Sequence, residues 1–245
     1  MSATTTSGTA AIRRDRAGRP GRRVSGLAVA LGCVLFLGGF AWAAVQYRPY
    51  TVPTASMQPT VNPGDKVLAQ KVSGSEVHRG DVVVFKDRLW GSSPLVKRVV
   101  AVGGDVVACC DKQGRMTVNG KPVDETYVHG GPASLDSFHT TVPKGELFML
   151  GDNRSVSEDS RLHLDDAEGG AVPATDVKAR VDALVWPAGR AGMLPTTAAF
   201  DALPGGGQSP HGPLPWIVLM IIAGAVLIMV GAAYEPVAKL VTRRR

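Results

Sequence analysis

Two apolar runs without a single charge set the limits on how this chain folds. The first extends from about Gly26 to Gln46 and the second from about Leu214 to Tyr234. A bilayer core about 30 Å thick needs roughly 20 apolar residues in helical form, and both runs reach that length. A helix satisfies every backbone polar group internally, as hydrocarbon requires. The sequence therefore predicts two transmembrane helices, 26–46 and 214–234. Ala41-Trp42-Ala43 has the small-x-small form of a signal-peptide cleavage site. Signal-peptide apolar cores are only about 7–15 residues long, however. The first run is longer, so it reads as an uncleaved anchor.

Charge fixes the expected orientation. The chain has 27 Lys and Arg against 21 Asp and Glu, a formal net charge of +6. Ten of those basic residues and only two of the acidic ones lie in the terminal segments 1–25 and 235–245. The section between the ends is left with 17 basic and 19 acidic residues. Basic residues gather on the cytoplasmic side of membrane spans. Both termini are thus expected in the cytoplasm, with the middle section on the extracytoplasmic face of the cell membrane. A nucleic-acid partner would need a basic patch on the folded domain, and the middle section has no such excess.

Segment 1–25 is rich in Ser, Thr, Gly and Arg and reads as a disordered tail. Segment 47–186 contains short Val-rich runs: Asp81–Phe85, Leu95–Val102, Val106–Cys109, Met116–Val118 and Glu146–Leu150. Turn residues bound them, as at Pro63-Gly64-Asp65, Gly103-Gly104-Asp105 and Asn119-Gly120. No helical period persists there for more than about two turns. The prediction is an all-β domain of packed, curved antiparallel sheets. Segment 187–213 holds five prolines, Pro187 among them, and the run Gly205-Gly206-Gly207. It reads as a flexible linker before the second span. Cys109 and Cys110 are adjacent. On a strand, neighbours point to opposite faces, so a mutual bridge is not expected. No Cys/His spacing suits a metal.

Three segments carry candidate chemistry. Ser56 lies between Pro53 and Pro59, which stiffen the backbone and disfavour helix. It stands ten residues beyond Gln46, at most about 33 Å of extended chain from the first span. A serine nucleophile needs a base. His78, His129, His139 and His163 occupy no recognisable triad motif. Lys97 shares a strand face with Leu95, Val99 and Ala101. Burial there would lower its pKa and yield a neutral amine able to take the serine proton. Arg98 shares an equally apolar face with Val96, Val100 and Val102, so alternation does not single out Lys97. The third segment, Gly151–Arg161, is crowded with polar groups. Asp152, Asp159, Arg154 and Arg161 there suggest a buried ion-pair network bracing the site.

Taken in order, these segments resemble the type I signal peptidase family. The motifs are Ser56-Met-Gln-Pro-Thr60 with Gly64-Asp65, Arg79-Gly-Asp-Val-Val-Val-Phe85, Lys97-Arg-Val-Val-Ala-Val-Gly-Gly-Asp105, and Gly151-Asp-Asn-Arg154 with Asp159-Ser-Arg161. The resemblance implies a membrane-bound serine–lysine endopeptidase without cofactor or metal. It would remove signal peptides from secretory preproteins, delivered by the export machinery to the phospholipid membrane, after Ala-x-Ala. By the same resemblance Ser56 is the nucleophile and Lys97 the general base. Thr54 and Ser56 form the oxyanion hole. Ser157 orients the lysine, and Asp159 with Arg161 supports it. Val52, Val61, Leu95 and Val96 shape pockets for small residues. Two stretches depart from the family pattern: Ser155-Val156 stands in place of Asp-Asn, and Leu162-His163-Leu164 in place of an aromatic-Gly pair. The alternative is a catalytically inactive membrane-anchored β-domain that binds a partner. A self-cleaving serine–lysine protease of the SOS-repressor kind is disfavoured by the two spans and the lack of a DNA-binding segment.

Overall fold

Antiparallel pairing of short Val-rich strands builds the larger of two compact units, Gln46–Gly212. The computed structural model describes residues 19–88, 90–91 and 93–243. The strands are β1 (Tyr47–Thr51), β2 (Lys66–Gln70), β3 (Val82–Phe85), β4 (Leu95–Val102), β5 (Val106–Cys109), β6 (Met116–Val118) and β7 (Lys121–Pro122). They continue with β8 (Phe138–Thr141), β9 (Glu146–Leu150), β10 (Val172–Pro173), β11 (Val177–Trp186) and β12 (Gly192–Met193). One sheet has the order β1-β2-β11-β3-β4-β9-β10, with β12 beside β11. A smaller sheet has the order β7-β6-β5-β8. The predicted all-β class of curved antiparallel sheets is what forms.

Burial explains the register. All four residues of β3 are buried, as expected of a central strand apolar on both faces. It pairs with β4 so that Val83 faces Lys97 and Val82 faces Arg98. On its other edge β4 pairs with β9, Arg98 against Leu150, with an irregularity between Val99 and Ala101. Continuing that register by one residue sets Gly151 beside Lys97. One apolar cluster holds Val52, Met57, Val61, Val82 and Val84, with Val96 packed against it. A second holds Val83, Phe85, Val99 and Met149, with Leu95 against it.

Segment 187–212 is not the loose linker that its composition suggests. Leu194, Phe200 and Leu203 are buried. Buried polar groups of the sheet domain supply the hydrogen bonds its irregular backbone lacks. Arg79 pairs with Asp105 at 2.6 Å and donates to the Pro204 carbonyl at 2.8 Å. Asp81 accepts from the Ser209 backbone and hydroxyl at 3.0 and 2.7 Å. Arg190 pairs with Asp65, and the Gly212 N–H donates to Asp182 at 3.1 Å. Cys109 and Cys110 also differ from expectation: they form a vicinal disulfide. Strand β5 ends at Cys109, so the strand alternation that would separate the two side chains does not extend to Cys110.

The other unit contains α1 (Arg19–Gln46) and α2 (Leu214–Arg243). Their apolar stretches, Arg23–Gln46 and Leu214–Tyr234, are long and apolar enough to cross a membrane. The helices pack closely through small residues, as membrane helices do. A Cβ at Gly32 would lie 2.8 Å from the Gly224 carbonyl oxygen. The Ser25 hydroxyl donates to the Gly231 carbonyl at 2.7 Å. Large apolar side chains, among them Leu27, Leu31, Val34 and Met229, stay exposed on these helices. Helix α1 begins within the expected disordered tail 1–25, whose first 18 residues lie outside the described ones. Helix α2 likewise runs on through most of the basic tail 235–245.

Candidate active site

Ser56 sits in a single 3-10 turn, Ala55–Met57, between the extended residues Thr54 and Gln58. Pro53 and Pro59 flank the turn and prevent it from growing into a helix. Met57 is fully buried and fastens the turn to the core. The turn abuts β4, the strand of Lys97. Its outer rim is held by the continuation of β9, where the Asn153 N–H donates to the Ser56 carbonyl at 3.0 Å. The Ser56 side chain is left only slightly accessible, and its Oγ lies 3.1 Å from the Thr54 hydroxyl.

Gly151 is the joint between these parts. A Cβ there would come within 2.4 Å of the Ser56 carbonyl oxygen and 2.2 Å of Ser157 Oγ. Backbone cannot yield to such contacts as a flexible side-chain tip can. Only glycine lets β9 pass between the two serines.

The neighbouring cations Lys97 and Arg98, alike in sequence, differ in environment. Arg98 is fully buried and forms a two-pronged pair with Asp152, at 2.8 Å from Nε and 2.7 Å from Nη2. Its third nitrogen donates to the Gly80 carbonyl at 2.8 Å, and its plane lies 4.1 Å above the Tyr127 ring centre. Burial opposes its charge, but Asp152 outweighs that effect and holds the guanidinium above its ordinary pKa. Lys97 has no such partner among the described residues. Burial is the largest influence on its amine and pushes its pKa below the ordinary 10.5. Asp159, Glu158 and Asp152 act against this through space, and Arg161 acts with it.

Asp159 and Arg161 form the expected pair, with Nε donating at 2.8 Å and Nη2 at 2.9 Å. Burial alone would raise the Asp159 pKa. The Arg161 bond and charge, with the Gly151 N–H, outweigh it and keep the carboxylate ionised. Ser157 Oγ is close enough to help hold that pKa down but sits outside hydrogen-bonding geometry, so its buried oxygen has no hydrogen-bond partner among the described residues.

The wider ion-pair network differs from the expected one. Asp152 serves Arg98 and also accepts from the Thr60 hydroxyl. Arg154 pairs with Glu125 at 2.6 Å instead of with an acid of its own segment. Glu125 and Tyr127 lie in no motif, and Thr60, though the last residue of the Ser56–Thr60 motif, carries no sign there of a bond to Asp152. Val52, Val61 and Val96 meet in one apolar cluster, whereas Leu95 packs in another. Two of the histidine rings are occupied elsewhere: His78 meets Ser209 at 2.8 Å and His163 meets Asp166 at 2.9 Å.

The site therefore offers a serine on a rigid turn, an adjacent hydroxyl, a buried lysine with a depressed pKa and a braced acid–base pair. Known proteins similar to this chain bear on what such a site belongs to. A family model described as signal peptidase, peptidase S26, matches residues 23–186. A probable signal peptidase I of Mycobacterium leprae (strain TN) is 32% identical, covering 59% of this chain and 70% of its own. Signal peptidase I of Mycobacterium tuberculosis (strain ATCC 25618 / H37Rv) is 32% identical, covering 60% and 67%. Signal peptidase I U of Bacillus subtilis (strain 168) is 31% identical, covering 60% and 79%. With the match of the family model across most of the chain, from the first apolar helix to the end of β11, the chain belongs to the signal peptidase, peptidase S26, family.

Proposed function

We propose that this chain is a membrane-anchored endopeptidase that removes signal peptides from exported preproteins, cutting after Ala-x-Ala through a Ser56–Lys97 dyad. The observation that carries the reading is the buried, unpaired Lys97 amine on the strand against which the Ser56 turn packs. Its lowered pKa raises the fraction of neutral amine near working pH, as a general base requires.

In this reading the Lys97 amine takes the Ser56 proton as Oγ attacks the scissile carbonyl. The negative charge that develops is met by the Ser56 backbone N–H and the Thr54 hydroxyl. Collapse breaks the C–N bond, and the leaving amine takes the proton back from Lys97. An ester between Ser56 and the signal peptide remains. Lys97 then deprotonates a water that attacks the ester, and Ser56 regains its proton. Ser157, whose oxygen has no partner, accepts an amine N–H and aims the lysine. The Asp159–Arg161 pair fixes the segment on which Ser157 stands. Val52, Val61 and Val96, which share one apolar cluster, favour small side chains before the cut. The two apolar helices lie in the phospholipid bilayer, with both basic ends in the cytoplasm and the β-domain outside.

The test is cleavage of a preprotein with an Ala-x-Ala site by detergent-solubilised protein, wild type against Ser56→Ala. Cutting after the second Ala by wild type alone supports the proposal. A folded but inactive wild type, or an active Ser56→Ala, overturns it in favour of a partner-binding domain. Thr54→Val keeps the shape of the side chain and removes the hydroxyl. It should lower kcat by about 10²–10³-fold, the usual effect of losing one oxyanion donor. An unchanged kcat removes Thr54 from the oxyanion hole.

A further inference from the structure

A cleft beside the candidate base remains without a role. A cavity of about 280 Å³ is lined by Leu135, Phe138, Val156, Ser157, Glu158 and Leu162, among others. It runs on into a smaller one of about 60 Å³, with which it shares Leu135, Arg154, Ser155 and Arg161. Its walls are unusually apolar for open surface. Leu135, Val156 and Leu162 are 84%, 56% and 68% exposed. Among the described residues of unit 46–212 only three other large apolar side chains are exposed, Val185, Trp186 and Met193, and of these only Trp186 is as open as Val156. Exposed apolar groups gathered at one cavity mark a binding surface more often than single scattered ones do.

We infer that this cleft receives the first residues of the mature protein, on the leaving side of the scissile bond, and favours apolar side chains there. The inference rests on the serine–lysine reading above. Peptide-bond cleavage has a direction. The acyl half stays on the serine, and the amine half leaves with a proton from the base. The departing chain must therefore pass the base, here Lys97. Two of the residues whose charges act on the Lys97 amine, Glu158 and Arg161, line the cleft, and so does Ser157. The apolar group around Val52, Val61 and Met57 belongs to the turn that carries the serine, the acyl side.

Charge agrees with this assignment. The product freed at each cut carries a new α-amine, with an ordinary pKa of about 7.7–8.0, so it is mostly cationic at neutral pH. Glu158 and Asp136 offer carboxylates at the cleft. The two arginines of the lining are already taken up, Arg161 by Asp159 and the Arg154 carbonyl and Arg154 by Glu125, so their charge is largely spent within the protein. The cleft thus combines apolar walls with an acidic rim, complementary to an apolar segment headed by an ammonium group.

The experiment uses two preproteins identical through the Ala-x-Ala site. One begins its mature part with Leu-Val-Leu and the other with Gly-Ser-Gly. The full-length wild type in detergent should show a kcat/KM ratio of about ten in favour of the apolar substrate, the size of effect typical of apolar pocket contacts. The triple variant Leu135→Ser, Val156→Ser, Leu162→Ser should bring the ratio close to one. Val156→Ser alone should lower it part of the way, which keeps the test decisive if the triple variant does not fold. Equal cleavage of both substrates by wild type overturns the inference and leaves the peptidase reading intact. A ratio that survives in both variants overturns it as well, since the preference then resides elsewhere. A folded wild type that cuts neither substrate overturns both.

Discussion

Lys97→Met is expected to lower cleavage by about 10⁴-fold or more while leaving the domain folded and more stable. In a serine protease the nucleophile and base act as a unit, and losing the base costs nearly as much as losing the whole set. Methionine keeps the length and removes the charge. Its effect on stability follows from linkage. The folded-state pKa of Lys97 is lowered by burial from 10.5. Below the folded value the amine is charged in both states, and the fold bears the full cost of burying an ammonium. Between the folded value and 10.5 the unfolded chain binds a proton that the folded chain does not. Stability then rises with pH across that window. In Lys97→Met this rise should vanish, and denaturant midpoints at pH 6 should move up. Wild-type kcat/KM should rise with pH toward the same folded pKa, because only the neutral amine is a base. Activity that is flat or falls across the range, with a Lys97→Met variant less stable than wild type, would show that the lysine is charged and structural.

Alternation along β4 could not separate Lys97 from Arg98, and the reason is instructive. Both side chains are buried, and both strand faces are apolar. What distinguishes them is a carboxylate 54 residues further along the chain from Arg98, which bonds Arg98 directly and acts on Lys97 only through space. Local pattern does not encode that meeting; the register of β4 with β9 does. The same limit applies to Arg154, which bonds Glu125 across the fold although nearer acids surround it in sequence. Strands with dense Val and sharp turn residues were legible, and Leu95–Val102, Val106–Cys109, Met116–Val118 and Glu146–Leu150 have the expected bounds. Strand β11 was not. It places Lys178, Arg180 and Asp182 between small apolar residues and pairs with β2 and β3 from much earlier in the chain. Segment 187–212 failed for a related reason. Its hold on the domain comes from carbonyls given to Arg79 and from Phe200 and Leu203 at irregular spacing, and neither leaves a period to read.

Asp152→Ala should be the most destabilising single change around the site, by about 3–5 kcal/mol. The loss is not chiefly that of an attraction. It strands Arg98, only 1% exposed, as a buried cation without its counter-ion. The Gly80 carbonyl and the Tyr127 face remain, but neither carries a formal negative charge. For a chain of this size each kcal/mol corresponds to roughly 2–4 °C in Tm, so thermal melts should fall by about 6–20 °C. Cleavage should suffer too at temperatures where the variant is still folded. Asp152 also holds Thr60, and the next residue, Asn153, holds the Ser56 carbonyl. The pair therefore stabilises the turn that carries the serine as well as the core. A second variant separates the stranded charge from lost packing. Arg98→Met combined with Asp152→Leu removes both charges together, and swaps of that kind are often neutral or stabilising. The double variant should recover most of the lost Tm, yet remain slower at cleavage because Thr60 and Asn153 are less firmly held. If Asp152→Ala melts within about 2 °C of wild type, the Arg98 charge is reached by water and the pair is not the brace that its geometry indicates. If the double variant melts as low as the single one, packing rather than charge accounts for the loss.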